Sequence, residues 1–286
     1  MAEWPENKDD TEVSQRGGAE QPSRSVESDE LNKDDGSPDA ESLQKTGQEI
    51  RISYLKSEQD DHPGHQLVSL PDGTATRLPP GTFRSDDPVE TIEEMLEAAA
   101  VGLCSGCEIL VPGGPKPIES LAAGDNVTTD DGTTQEIRWI GRRRIKAQGL
   151  LAPIALRSGA LGQHDALTVM PQQRLLIQDW RADLLFGEPE VLVPARYLVD
   201  GTSVTKTEGG ETDVFLMLFD RHCTIRANRC PTESFLPNEQ ALTIMDDDQR
   251  ADILSICPRL RVDPLNGYGR DVRPTLRRWE VKYLMK

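Results

Sequence analysis

Aromatic side chains are scarce in this chain, at 5% of residues, and there are only five cysteines, an odd number. Five thiols are too few for a disulfide-dense secreted scaffold. Nowhere does an apolar run approach the ~18 residues of a membrane-spanning helix. The opening residues, Met1-Ala2-Glu3-Trp4-Pro5-Glu6, carry neither the basic nor the apolar region of a Sec signal. No membrane association is therefore expected, and a reducing cytoplasm is the default compartment, with leaderless secretion left open. Positive charge is also in deficit: 32 Lys and Arg stand against 49 Asp and Glu, a net charge of -17. Such a surface repels phosphate backbones, which sets nucleic acid aside as a partner.

What is present falls into three stretches. Residues 1–87 are rich in Asp, Glu, Ser, Gly, Lys and Gln, with brief apolar clusters at 50–55 and 66–70. So polar a segment buries too little to offset its ordering entropy, and a mostly disordered acidic segment is expected. A small strand pairing around Ile52 to Tyr54 is the alternative. Residues 88–101 predict an amphipathic helix: Asp87 can cap it, Pro88 fits its first position, and Glu90, Glu93 and Glu94 favour the positive end of the dipole. Val89, Ile92, Leu96 and Ala99 make one apolar face, which is expected to pack on the domain that follows or to dock a second copy.

Beyond Gly102 the rhythm becomes all-β. Short runs at 108–111, 126–129, 136–140, 154–156, 175–177, 191–194 and 214–219 are separated by Gly113-Gly114, Asp131-Gly132, Gly209-Gly210 and prolines. A final helix is expected over 247–257, capped by the aspartates at 246–248 and stopped by Pro258, with Cys257 on its apolar side. His164, after a glycine-rich loop, reads as a surface residue.

Several segments resemble the bacterial Hint (hedgehog/intein) domain family. Residues 117–127 read Pro-Ile-Glu-Ser-Leu-Ala-Ala-Gly-Asp-Asn-Val, 135–141 Gln-Glu-Ile-Arg-Trp-Ile-Gly, and 159–162 Gly-Ala-Leu-Gly. They are followed, in the family's order, by 184–194, by Phe219-Asp220-Arg221-His222, by Thr232-Glu233-Ser234-Phe235 and by the tail at 273–278. The resemblance implies an all-β Hint fold over 102–286, flanked by short helices. It also implies a self-processing protein whose substrate is its own polypeptide chain.

In that family a cysteine thiol attacks the preceding peptide carbonyl and converts an amide into a thioester, which requires a thiolate. The usual pattern resembles Cys-Phe-x-x-Gly-Thr. Matching its glycine to Gly106 puts Gly102 at the nucleophile position and Cys107 at the threonine. Only a loop two residues shorter lets Cys104 serve, making Leu103–Cys104 the scissile bond. The family's Ser-Pro-Gln-His-Arg stretch, whose histidine protonates the leaving nitrogen, corresponds to Met170-Pro171-Gln172-Gln173-Arg174. Gln173 donates a hydrogen bond but has no titratable proton. His222 matches the late histidine of inteins. The terminal His-Asn pair is replaced by Glu233-Ser234, so splicing is not available.

The cysteines admit another reading. Cys104-x-x-Cys107, with His222 and Cys230, has ligand types suited to tetrahedral zinc, and the same pair could close a disulfide. No other cofactor is expected. Two functions are therefore carried forward. One is thioester-mediated N-terminal autocleavage by Cys104 and His222. The other is a catalytically degenerate Hint fold that serves as a binding or structural module for an unknown protein partner.

Overall fold

The computed structural model describes residues 40–45, 48–54, 65–70, 72, 74–79, 82–83, 89–162, 164–243 and 245–285. The capping residues Asp87 and Pro88, and all of 1–39, lie outside them.

Within the stretch expected to be disordered, four described segments pair as an antiparallel sheet in chain order: β1 (Ala40–Lys45), β2 (Gln48–Tyr54), β3 (Gln66–Ser69) and β4 (Ala75–Leu78). Ile52 and Ser53 lie in β2, paired with β1 on one side and β3 on the other. Period-2 burial marks β3, where Gln66 and Val68 are buried and Leu67 and Ser69 less so. Helix α1 (Val89–Ala99) follows where its periodicity places it. Its buried Ile92 and Leu96 pack with Val68, Leu70, Leu78 and Phe83, and Leu150 of the following domain joins them. The helix therefore finds most of its apolar partner upstream, in residues whose scattered hydrophobes are too sparse to announce a core.

The remaining strands are β5 (Leu103–Cys104), β6 (Glu108–Val111), β7 (Gly114–Pro117), β8 (Asn126–Thr128), β9 (Thr134–Glu136) and β10 (Trp139–Lys146). They continue with β11 (Ile154–Leu156), β12 (Leu167–Val169), β13 (Arg174–Gln178), β14 (Glu190–Pro194), β15 (Val204–Lys206), β16 (Glu211–Leu218), β17 (Thr224–Ala227) and β18 (Cys230–Glu233). Two six-stranded sheets result, ordered β10-β16-β5-β12-β11-β15 and β14-β13-β18-β17-β6-β7. One core is shared between them: Leu103, Val169, Phe215 and Met217 from the first sheet meet Ile109, Leu175, Val193 and Ile225 from the second.

The apolar run of β16 is buried on both faces. Phe215 and Met217 enter the shared core, while Leu216 and Leu218 pack with Trp139, Phe235, Ile253 and Leu260. The helix α4 (Asp247–Ile256) supplies Ile253 to that second cluster. Asp246 caps it by accepting from the Gln249 amide at 2.8 Å, and Cys257 packs at its end. The other helices are α2 (Trp180–Phe186), the short α3 (Glu239–Thr243) and, at the C-terminus, α5 (Arg278–Leu284).

The β10 strand runs well beyond the expected 136–140, through Arg142, Arg143 and Arg144. Asp213 on the neighbouring strand lies 2.5 Å from Arg142 and 3.1 Å from Arg144 and offsets two of these charges. Gly141 is required there, because a Cβ would meet the Trp139 ring at 2.1 Å. His164 is buried rather than superficial: its Nε2 accepts from the Leu161 amide at 3.1 Å and its Nδ1 faces the Asp165 carbonyl at 2.6 Å, so the ring closes the glycine-rich loop. Among the described residues no helix is long and apolar enough to cross a membrane.

Candidate functional site

The chain enters the domain through residues 100–104, held from both sides. The Gln172 amide donates to the Ala100 carbonyl at 2.7 Å and the Met170 amide to the Gly102 carbonyl at 2.9 Å. Leu103 then pairs with Val169 on β12 and Phe215 on β16, and Cys104 with Val214. The amide of Gly102, the residue the resemblance puts at the nucleophile position, donates to Gln173 Oε1 at 3.0 Å. Gln173 thus occupies the place the resemblance gives to histidine. Its own amide nitrogen donates to Thr232 Oγ1 at 2.8 Å and to the Glu233 carbonyl at 2.9 Å. Thr232 passes the network on, donating to the Arg174 carbonyl at 3.0 Å.

Behind Gln173 lies a buried ionic cluster. Glu233 Oε1 accepts from the Arg174 amide at 3.1 Å, and its Oε2 stands 2.6 Å from Arg174 Nη2 and 3.3 Å from His222 Nε2. The Glu233 and His222 side chains are 2% and 1% exposed. Neither Glu233 Oε2 nor His222 Nε2 makes an aligned hydrogen bond, so the guanidinium of Arg174 is what offsets the burial of the Glu233 carboxylate. His222 Nδ1 accepts from the Val272 amide at 3.1 Å, which assigns the ring proton to Nε2, facing the carboxylate. Arg174 Nη1 reaches Thr275 Oγ1 at 2.5 Å and Asp271 at 3.3 Å, strapping residues 271–275 over the cluster. Sequence reading found His222 and Gln173. It took Glu233 only as a lost His-Asn pair and missed Arg174, Thr232 and Asp271, whose charges and hydroxyl read as ordinary surface chemistry until the strands bring them together.

The cysteines are elsewhere. Cys104 packs with Ala100, Ile145, Leu151, Met170 and Val214, whereas Cys107, Cys223 and Cys230 belong to the shared core. All five are free thiols, so the Cys104–Cys107 disulfide does not form. Among the described residues no three His, Cys, Asp or Glu side chains converge as a ligand set. The zinc arrangement of Cys104, Cys107, His222 and Cys230 therefore does not fit: Cys104 packs in a different apolar cluster from Cys107 and Cys230, and His222 faces Glu233. Burial pushes the Cys104 thiol up to about 12, partly opposed by a hydrogen bond with Thr212. Cys107 and Cys230 are likewise pushed up to about 12 by burial, and Cys223 to about 11. None is poised as a thiolate near neutral pH.

A consequence can be measured. Each of these thiols is held neutral in the fold but ionises near 9.0 once exposed, so the unfolded chain releases protons first. Stability should be fully present below pH about 9 and fall as the pH rises towards about 12. Urea midpoints at pH 8 and pH 10 check the sign. In the native protein at pH 8 Ellman's reagent should modify the half-buried Cys257 first, the other four only on unfolding. A midpoint that holds steady across that range, or rapid labelling of Cys104, would contradict the packing described.

Comparison with known proteins places this arrangement. A solved structure similar to the chain, the solution structure of a bacterial intein-like domain from Clostridium thermocellum, is 13% identical, covers 47% of this chain and 99% of its own, and superposes with a TM-score of 0.33. No curated protein matches. The Hint domain family model matches residues 101–239, the span that holds the clamped entry strand, Gln173, His222 and Glu233. Residues 101–239 of this chain are a Hint domain, with the all-β Hint fold.

Proposed function

We propose that this Hint domain is a non-cleaving scaffold, a binding and structural module that keeps its N-terminal segment attached. The observation that carries the reading is the state of Gly102. Its backbone sits at φ +128°, and an added Cβ would lie 2.5 Å from Val214 Cγ1 and 2.9 Å from the Phe215 carbonyl oxygen. The position that should hold the nucleophile is filled from across the sheet. Gln173 meanwhile ties the Gly102 amide to β18 with a group that has no proton to transfer near neutral pH. Hint domains are self-processing as a class, and a bond broken at Leu103–Cys104 is the competing reading. Against it stand the burial of the Cys104 thiol and its strand pairing to Val214.

The test is intact mass of the full chain and of Cys104→Ala, incubated for days with and without dithiothreitol. Every sample should keep the mass of the uncut chain, 31.7 kDa for the parent. Fragments ending at Leu103 in the parent, absent from Cys104→Ala, would overturn the scaffold reading in favour of autocleavage.

A further inference from the structure

Helices α2 and α5 pack side by side on the second sheet, burying Ala182, Val281 and Leu284 in the shared core. Their outer faces are apolar to a degree unusual for a chain with so few aromatics. Trp180, Leu184 and Leu185 on α2 are 69%, 73% and 48% exposed, and Trp279 and Tyr283 on α5 are each 57% exposed. Two of the chain's four tryptophans are thus spent on solvent in one place. Contiguous exposed patches of this kind, rich in Trp and Tyr, mark interaction surfaces rather than chance.

The charges around the patch say what covers it. Asp183 and Glu188, beside the α2 hydrophobes, are exposed and form no ion pair with a described residue. Arg278 and Lys282, on the exposed side of α5, likewise have none. The two helices touch, yet no acid of α2 pairs with a base of α5 inside the chain. Arg181 on α2 lies over the Trp180 ring and is paired with Asp179, and Glu280 on α5 accepts from the Arg277 amide, so the charges left open are acidic beside α2 and basic on α5. An anionic lipid surface would match only one of them. A two-fold axis through the patch lays α2 of one chain on α5 of another and satisfies both at once.

We infer that the α2–α5 face is a self-complementary interface at which a second copy of this chain docks in a two-fold dimer. The aromatic side chains supply the buried centre, and the acid-to-base pairing around them sets the orientation.

Light scattering on the eluting full-length protein tests this at ~10–100 μM, the range where standard-sized interfaces of modest affinity are populated. A mass twice 31.7 kDa is expected, and Leu184→Asp with Trp279→Ala should weaken the dimer tenfold or more while leaving unchanged the unfolding midpoint measured dilute enough for the parent to be monomeric. Charge reversal is the sharper measurement. Asp183→Lys with Glu188→Lys, and separately Arg278→Glu with Lys282→Glu, should each be monomeric alone. Mixed, they should form a heterodimer, because a wholly basic face then meets a wholly acidic one. A monomeric parent at the highest concentration overturns the inference, as does a dimer that survives Leu184→Asp with Trp279→Ala. It also fails if the mixed charge variants stay monomeric, or if the parent remains monomeric while sedimenting with anionic phospholipid vesicles.

Discussion

Replacing Gly102 with cysteine, the residue the Hint family carries there, should destabilise the protein and leave it uncut. Two penalties coincide. A side chain at φ +128° occupies backbone space that only glycine visits freely, costing about 1–3 kcal/mol. The new Cβ also presses on Val214 and on the Phe215 carbonyl. Overpacking of this kind costs about 1–3 kcal/mol more, and here one obstacle is backbone that cannot rotate away. A loss of about 2–6 kcal/mol is expected in urea unfolding. Adding Gln173→His should not rescue cleavage. The amide makes three contacts, accepting from Gly102 and donating to both Thr232 and the Glu233 carbonyl, which an imidazole with two nitrogens cannot reproduce. Intact mass on the single and double variants decides the matter. Efficient scission before residue 102, in a protein as stable as the parent, would mean that the site is one substitution from activity rather than refilled.

The second large effect concerns Arg174. Removing its guanidinium in Arg174→Met leaves Glu233 buried with its nearest cation gone, and broken buried pairs of this type cost about 3–5 kcal/mol. The same change releases the strap, because Arg174 holds Asp271 and Thr275. Urea unfolding should report the loss, and limited proteolysis should open a new cut within 263–277. Arg174→Met combined with Glu233→Gln removes both charges and should recover most of the lost stability, which separates an uncompensated charge from lost packing. If Arg174→Met unfolds at the parental midpoint with no new cut, the cluster contributes little and the strap is held by the backbone bonds of Leu192 to Pro274 and Leu276, the Val272–His222 bond and the Arg273–Glu190 pair.

Much of the β domain is legible in the sequence because its signals are local. Glu108–Val111 and Ile154–Leu156 coincide with the expected runs, and α4 begins and ends beside the aspartates and the proline that predict it. Strands that carry charge or proline hide from the same reading. The three arginines of β10 look like a solvated loop until Asp213 of β16 offsets two of them. β18 begins Cys230-Pro231, and β7 contains two prolines that only an edge strand tolerates. The upstream meander is hidden for a different reason. Val68, Leu70, Leu78 and Phe83 are a few hydrophobes scattered in polar sequence, and they make a core only because α1 lays Ile92 and Leu96 across them.

For the site the division is sharper. The sequence by itself determined which residues stand where the resemblance looks for a nucleophile and a histidine, Gly102 or Cys104 and Gln173, since residue identity is all that question needs. It left the neighbouring groups free to be imagined together, as a displaced Cys104 nucleophile or as a zinc site with Cys107, His222 and Cys230. Only the tertiary structure says which of these groups meet, because that depends on strand order and on which face each side chain takes. Cys104 is buried in one apolar cluster and Cys107, Cys223 and Cys230 in the shared core, while Gln173, Glu233, Arg174 and His222, drawn from separate stretches of sequence and of unlike charge, close into one network around the Gly102 amide.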